Sequence, residues 1–148
     1  LLYRMPHPDA GAAVAVERLV DELGGEIQVR LEAYRDPESL HVYEDGSFTV
    51  FVPPNTSMVR DRFTIAHELG HYVLHHDHDA GEYASFLRFG RSRWETEGNA
   101  SAGALLMPAD RFREVWEACD GNLSLVAREF QVSFSAADVR CQVLGLDR

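Results

Sequence analysis

The amino-acid sequence predicts a single α+β domain over residues 1–148, with a small antiparallel sheet packed against helices. Three observations predict this class: segments of alternating polarity that include a hairpin, one long helix rich in histidine, and several short helices that complete the chain. A chain of this length can bury a hydrophobic core. Its 45% hydrophobic and 26% charged residues are typical of a globular domain.

The N-terminal third of the chain predicts one helix and three strands. Residues 9–23 place Asp9 at an N-cap and apolar residues at helical spacing, and the glycines at 24–25 end this helix. The segment "EIQVRLEA" alternates apolar and polar residues, as a half-buried strand does. "LHVYEDGSFTVFVP" predicts a β-hairpin, because Asp45 and Gly46 supply the positive φ angles of a tight turn.

The rest of the chain predicts helices. "NTSM" offers cap residues for a helix from about residue 58 to 77. Residues 79–93 predict an irregular connection, which is either a loop anchored by its aromatic residues or a flap over a cleft. A helix from about 94 to 106 follows, and Pro108 is placed to open the next one. Two more short helices complete a C-terminal helical segment over residues 109–148.

Charge and composition exclude several kinds of protein. The formal net charge of −10 argues against nonspecific attraction to nucleic acid or anionic membranes. No apolar run approaches the roughly 20 residues that span a bilayer, and no secretory pattern is present, so we expect a cytoplasmic protein. Cys119 and Cys141 form no CxxC pair and suit a reducing compartment.

Residues 64–75, "TIAHELGHYVLH", carry the candidate catalytic chemistry. At about 100° per residue, His67 and His71 lie roughly 40° apart on one helix face. Two imidazoles so placed can converge on one tetrahedral metal ion, and Glu68 can act as general base towards a zinc-activated water. The spacing predicts a zinc hydrolase site. The alternative interpretation is a core helix that carries polar residues at this spacing.

A third metal ligand is expected downstream, because catalytic zinc sites commonly use three protein ligands. The segment "WETEGNASAGALLMP" offers Glu95 and Glu97. On a helix, Glu97 shares its face with the small residues Ala100, Ser101 and Ala104, which would allow a close approach to another helix. Because Glu95 points about 160° away, Glu97 is the preferred third ligand, with a solvent-facing Glu97 as the alternative.

The segments "RDRFTIAHELGHYVLHH" and "ETEGNASAGALLMP" together resemble the ImmA/IrrE family of zinc metallopeptidases. In that family an arginine-and-phenylalanine lead-in, the HELGH helix and a trailing LH precede a glutamate in an ExxAN-type segment that ends in LLMP. The strong matches cover residues 60–75 and 95–108. HELGH alone occurs in many zinc peptidases, and its combination with the later segment is much more selective.

The resemblance implies a compact zincin-like domain with a zinc ion bound by His67, His71 and Glu97 and with Glu68 as general base. It also matches Asn99 to the asparagine of the family's segment.

Two positions depart from the family pattern: Gly98 stands where alanine is usual, and Ser101 where phenylalanine is usual. Neither change removes a ligand. Glycine loosens a helix by about 1 kcal/mol relative to alanine, and Ser101 lacks an aromatic packing group.

The activity implied by the resemblance is zinc-dependent endopeptidase cleavage of a partner protein, a DNA-binding transcriptional repressor. Members of the family act on repressors that are often encoded beside them in mobile elements or stress-response loci. We expect one edge of the sheet to hold the substrate as an extended strand beside the active-site helix. The alternative is a non-hydrolytic regulator that binds and sequesters a repressor, with a structural or vestigial metal site.

Several polar residues near the motif remain without one assigned role. A structural role beside the ligands is favoured for His75. A transition-state stabiliser is also required near the zinc. Tyr72, Tyr83, His78 and several arginines are candidates, and the sequence does not choose among them.

The spacing of apolar residues in the C-terminal helices is typical of a helix-turn-helix. The apolar positions that suggest it are Leu123, Val126, Ala127, Phe130, Val139, Val143 and Leu144. The second helix offers only Arg140 as an interior cation, next to Asp138, whereas DNA binding needs cations that neutralise phosphate. We therefore expect these helices to pack on the catalytic core without direct nucleic-acid binding.

Overall fold

The structure is a computed structural model that describes residues 13–30, 40–75 and 91–146, without the side chains of residues 74, 75 and 91–98. Within these residues the chain forms six helices and three strands. They are, in order, α1 (Val16–Glu22), β1 (Gly25–Val29), β2 (Leu40–Val42), β3 (Phe48–Val52), α2 (Met58–His75), α3 (Arg91–Leu106), α4 (Ala109–Ala118), α5 (Leu123–Phe130) and α6 (Phe134–Val143).

The predicted α+β class is confirmed, but the sheet is mixed where an antiparallel sheet was predicted. The strand order is β1-β3-β2. β2 pairs antiparallel with β3, as a hairpin requires, whereas β1 pairs parallel with β3. The central strand β3 is almost wholly buried, because neighbours flank it on both sides and helices cover it.

The start of β1 depends on a glycine. Gly25 pairs with Phe48, and a Cβ added at Gly25 would lie 2.4 Å from the Phe48 ring. Glycine at this position therefore lets the Phe48 ring lie directly over the β1 backbone. Phe48 itself is 1% exposed.

The hairpin forms where the sequence predicts it, with only one positive φ angle in its turn. Gly46 has φ 89°, while Asp45 stays in the ordinary region. The Asp45 carboxylate accepts hydrogen bonds from the backbone N and the Oγ of Ser47, and these bonds lower the pKa of Asp45. The side chain of Asp45, rather than its backbone angle, is what suits it to the turn.

The long helix α2 begins at Met58, with Ser57 Oγ accepting a hydrogen bond from Arg60 N. Its core side carries Ile65, Ala66 and Leu69, all at most 2% exposed. Val73, one turn after Leu69 towards the end of the helix, is 55% exposed.

Tyr72 fixes the other end of α2 to the hairpin. Its ring stacks on Phe48 at 4.0 Å between centroids, and its hydroxyl donates to the Gly46 carbonyl at 2.8 Å. The histidine helix and the sheet are thereby held together.

Arg62 joins α2 to the C-terminal helices from inside the core. It is 1% exposed, and its guanidinium donates to the carbonyl oxygens of Val14, Phe130 and Gln131. Two of these carbonyls lie at the C-terminal end of α5, where unpaired carbonyl oxygens and the helix dipole favour a cation. One buried side chain therefore connects three separate parts of the chain.

The C-terminal helices follow the predicted order. α3 begins at Arg91, about three residues before the predicted start. Pro108 caps α4. α6 packs inwards through Ala137 and Cys141, whereas Val139 and Val143, two apolar positions of the helix-turn-helix pattern, are 57% and 67% exposed. Small residues of α6, and not these two valines, therefore contact the core.

Both cysteines are free, with Cys141 buried and Cys119 half-buried. No helix in the described part of the chain is both long and apolar enough to cross a bilayer. Residues 1–12, 31–39, 76–90 and 147–148 lie outside the described residues, as do the end of the first predicted strand and most of the irregular connection. The predicted start of the first helix at Asp9 is wrong, because residues 13–15 are not helical and α1 begins at Val16 with Ala15 at its N-cap.

Candidate metal centre

Two histidines converge on one point of α2. Nε2 of His71 lies 2.9 Å from Nε2 of His67, and the rings meet edge to face with their centroids 4.5 Å apart. With metal–nitrogen bonds of 2.0–2.1 Å, two ligand nitrogens of a tetrahedral zinc ion lie about 3.3 Å apart. The separation is therefore close to what a shared zinc ion requires, and a small change of side-chain angle would complete it.

Asn99 of α3 fixes the tautomer of His67. Its Oδ1 lies 2.9 Å from Nδ1 of His67. Because an amide oxygen only accepts, Nδ1 carries the proton, and in a neutral imidazole Nε2 then holds the lone pair that a metal needs. Hydrogen bonds of this kind orient metal-binding histidines in many sites. The contact supplies a role for Asn99, which the sequence pattern singled out without assigning one.

The three polar residues of the motif are buried together. His67 is 8% exposed, Glu68 9% and His71 3%. Burial of two imidazoles and a carboxylate is costly unless they are hydrogen-bonded or bind an ion, and each of them makes further polar or ring contacts in the structure. This pattern differs from the ordinary amphipathic helix, because the side opposite the apolar core is also closed to solvent.

The rotation of α3 about its own axis determines which positions of α3 face α2, and therefore which glutamate is better placed to be a third ligand. Asn99 contacts α2, and Ala102 and Leu106 on the same side of α3 are each 0% exposed. Glu95 lies one turn before Asn99 and within about 40° of it on the helix, whereas Glu97 lies about 160° round. The side of α3 that faces α2 therefore contains position 95.

Ala100 and Ala104, the small residues expected to face a neighbouring helix together with Glu97, are both exposed. The side chains of Glu95 and Glu97 lie outside the described residues, so Glu97 as a ligand stays a prediction. Among the side chains that the structure describes, no group of three His, Cys, Asp or Glu residues is placed to hold a metal ion.

Of the other candidates near the site, Tyr72 is directed to the hairpin, where its hydroxyl donates to Gly46. The side chain of His75 and the whole of His78 and Tyr83 lie outside the described residues. The transition-state stabiliser predicted from the sequence is therefore not assigned to any of them.

The chain is similar to a known protein family and to a solved structure. The chain matches the family model Peptidase_M78, described as the IrrE N-terminal-like domain, over residues 26–142. A solved structure of a Mycobacterium tuberculosis transcriptional regulator is similar, with a TM-score of 0.62 and 20% sequence identity. The similarity covers 89% of this chain and 41% of that one, so the chain spans less than half of the regulator's length. At this identity the likeness shows a shared fold. No curated protein matches the chain.

Proposed function

Because the chain belongs to the Peptidase_M78 family of IrrE N-terminal-like domains, we propose that it is a zinc-dependent endopeptidase that hydrolyses a peptide bond in a partner protein. The observation that carries the proposal is the convergence of the two Nε2 atoms of His67 and His71, with Asn99 holding the tautomer in which Nε2 of His67 carries the lone pair that a metal needs. A structural helix would require neither feature.

The polar residues of α2 have different roles in the proposed reaction. His67 and His71, with a glutamate of α3, would hold a zinc ion, which when bound supplies polarisation of the scissile carbonyl and acidification of a water molecule. Glu68 takes the proton from the attacking water and delivers it to the leaving amine. The 9% exposure of Glu68 limits competing bulk water at that carboxylate.

The third ligand is a glutamate of α3. Glu97 is the candidate from the sequence, and the phase of α3 against α2 favours Glu95. Zinc content of the Glu95→Gln and Glu97→Gln variants distinguishes the two residues, because they are matched in chemistry and differ only in helix face. Loss of zinc in the Glu95 variant alone assigns the site to Glu95, and loss in the Glu97 variant alone assigns it to Glu97. Full zinc retention in both variants would contradict a glutamate ligand from α3.

The proposed substrate is a DNA-binding transcriptional repressor, which would place the reaction in the cytoplasm. The net charge of −10 suits a basic partner, as DNA-binding proteins commonly are. An extended segment of the substrate would pair with the outer edge of β2, which has no strand partner among the described residues. This edge is favoured because the hairpin turn is bound to the histidine helix through the 2.8 Å bond between Tyr72 and Gly46.

Turnover of a repressor encoded beside this chain tests the proposal. Glu68→Gln should keep the fold and the zinc and lower the cleavage rate by about 10²-fold or more, because the general base is lost. Its matched control is Glu129→Gln, an exposed glutamate of α5, which should cleave normally. If Glu68→Gln relieves repression in cells as well as the unmodified protein, hydrolysis is not the function, and sequestration of the repressor replaces it.

Direct DNA binding is not part of the proposed function. Nε of Arg140, the interior cation of α6, donates to the Met107 carbonyl at 2.9 Å and is directed towards the end of α3. A gel-shift experiment at physiological salt should show no retardation at micromolar protein, and clear retardation would contradict this part of the proposal.

A further inference from the structure

A second potential site lies behind the histidines. A cavity of about 650 Å³ opens between the N-terminal half of α2, the C-terminal half of α3 and α6. Small-molecule sites commonly have volumes of about 300–1,000 Å³ with mainly apolar walls and a few polar groups. Here the apolar walls include Phe63, Met107, Val139 and Val143. The high exposure of the last two, at 57% and 67%, is explained by their position on this cavity.

The charge of the cavity is opposite to that of the protein. Among the side chains that the structure describes, Arg60 and Arg140 are the charged ones that line it, and none that line it is acidic. The whole chain carries a net charge of −10. Two cations in a mainly apolar cavity of an acidic protein would attract an anion of matching size.

Arg140 is the more informative of the two cations. Burial and the neighbouring Arg113 lower the pKa of Arg140. Within the described residues the guanidinium donates through Nε to Met107, and neither Arg60 nor Arg140 pairs with a carboxylate. Since an arginine stays charged at neutral pH, a bound anion would offset both the burial and the repulsion from Arg113.

We propose that this cavity binds a small amphiphilic anion, with its apolar body between α2, α3 and α6 and a carboxylate-type head group on Arg60 and Arg140. The hydroxyls of Ser57, Thr64 and Ser133 also line the cavity and can donate to such a head group. Among the described residues, none of His67, Glu68 and His71 lines this cavity, so it is distinct from the space between the two histidines. Asn99 is the residue that touches both, because it lines the cavity and contacts Nδ1 of His67.

Gly103 provides a way to fill the cavity without disturbing the fold. It lies in α3 on the cavity wall, and a Cβ added there meets no atom within 4 Å. Gly103→Leu would therefore place a side chain in the cavity and raise the helix propensity of α3 at the same time. Gly103→Ala is the matched control, because it makes the same backbone change and leaves most of the volume open.

Calorimetric titration of the metal-free protein with octanoate tests the proposal independently of the zinc site. We expect one saturable site per chain with a dissociation constant of about 1 mM or tighter, with 1-octanol and octylamine weaker by about tenfold. Gly103→Leu should abolish binding and Gly103→Ala should retain it. Arg60→Gln and Arg140→Gln should each weaken it about fivefold, whereas Arg18→Gln, which changes an exposed arginine of α1 outside the cavity wall, should not.

Three results would overturn the proposal. They are the absence of saturable octanoate binding, equal binding by Gly103→Leu, or equal affinity for octylamine and octanoate. Because Arg140 also donates a hydrogen bond to Met107, Arg140→Gln could misfold. In that case the variants of the exposed Arg60 and of Gly103 test the proposal. Circular dichroism of each variant identifies that case.

Discussion

Oδ1 of Asn99 lies 2.9 Å from Nδ1 of His67, and this contact joins α3 to the histidine helix at the candidate metal centre. It holds the tautomer in which Nε2 of His67, directed towards Nε2 of His71, carries the lone pair that a metal ligand donates. The relationship also fixes the rotation of α3, because the residues on the side of Asn99 must face α2. That rotation favours Glu95 over Glu97 as the proposed third ligand.

Removing the Asn99 amide should weaken zinc binding without removing a ligand. Asn99→Ala leaves the His67 ring free to rotate and to exchange tautomers, and loss of such a hydrogen bond lowers metal affinity by about 10–100-fold. Competition with a chelator of known affinity measures the effect. Asn99→Asp is the control, since a carboxylate can accept the same bond and should retain most of the affinity. Equal affinity of Asn99→Ala and the unmodified protein would show that the contact does not orient the ligand.

The sequence predicted the histidine pair because its convergence depends only on helix geometry within α2. The third ligand could not be predicted in the same way, because it depends on how α3 rotates against α2. Small residues at Ala100 and Ala104 suggested close packing, yet in the structure both are exposed while Ala102 and Leu106 are buried. An Ala-rich helix has small residues on several sides, so small size alone does not identify the buried one.

The fold, like the candidate site, was only partly predictable from the sequence. The hairpin was predictable because Asp45 and Gly46 specify a local turn. The parallel pairing of β1 with β3 was not, because alternation of polarity identifies a strand without the direction of its partner. The apolar spacing that includes Val139 and Val143 indicates a helix, but the cavity that these valines line exists only through the packing of three helices.

Loss of Arg62 should destabilise the whole domain. Arg62→Met removes donors from three carbonyl oxygens in a side chain that is 1% exposed, and we expect a loss of about 3 kcal/mol in the free energy of unfolding. Urea denaturation measures it. Arg60→Met, an exposed arginine on the same helix, should change stability by less than about 0.5 kcal/mol. Similar losses in both variants would refute a connecting role for Arg62.

A methyl group at Gly25 should be much less tolerated than one at Gly103. The added Cβ at Gly25 lies 2.4 Å from the Phe48 ring, which must move within a packed core, at a cost of about 1–3 kcal/mol. At Gly103 the Cβ meets nothing within 4 Å, so alanine should raise stability by up to about 1 kcal/mol through helix propensity. Thermal unfolding of Gly25→Ala and Gly103→Ala in parallel tests the contrast. A destabilised Gly103→Ala or a neutral Gly25→Ala would show that the packing differs from that described.

Removal of zinc should lower thermal stability through the same residues that bind it. A ligand that binds only the folded state, present at 100 times its dissociation constant, adds about 2.7 kcal/mol. In a domain of this size that corresponds to an increase of about 5–10 °C in Tm. Chelation should therefore lower the Tm of the unmodified protein and leave that of His71→Gln unchanged. His41→Gln, which replaces an exposed histidine on β2, should respond to the chelator like the unmodified protein. His71 is one of the two converging imidazoles, with its Nε2 2.9 Å from that of His67, so its replacement removes half of the histidine pair. A chelator effect on Tm that persists in His71→Gln would therefore place the stabilising metal elsewhere.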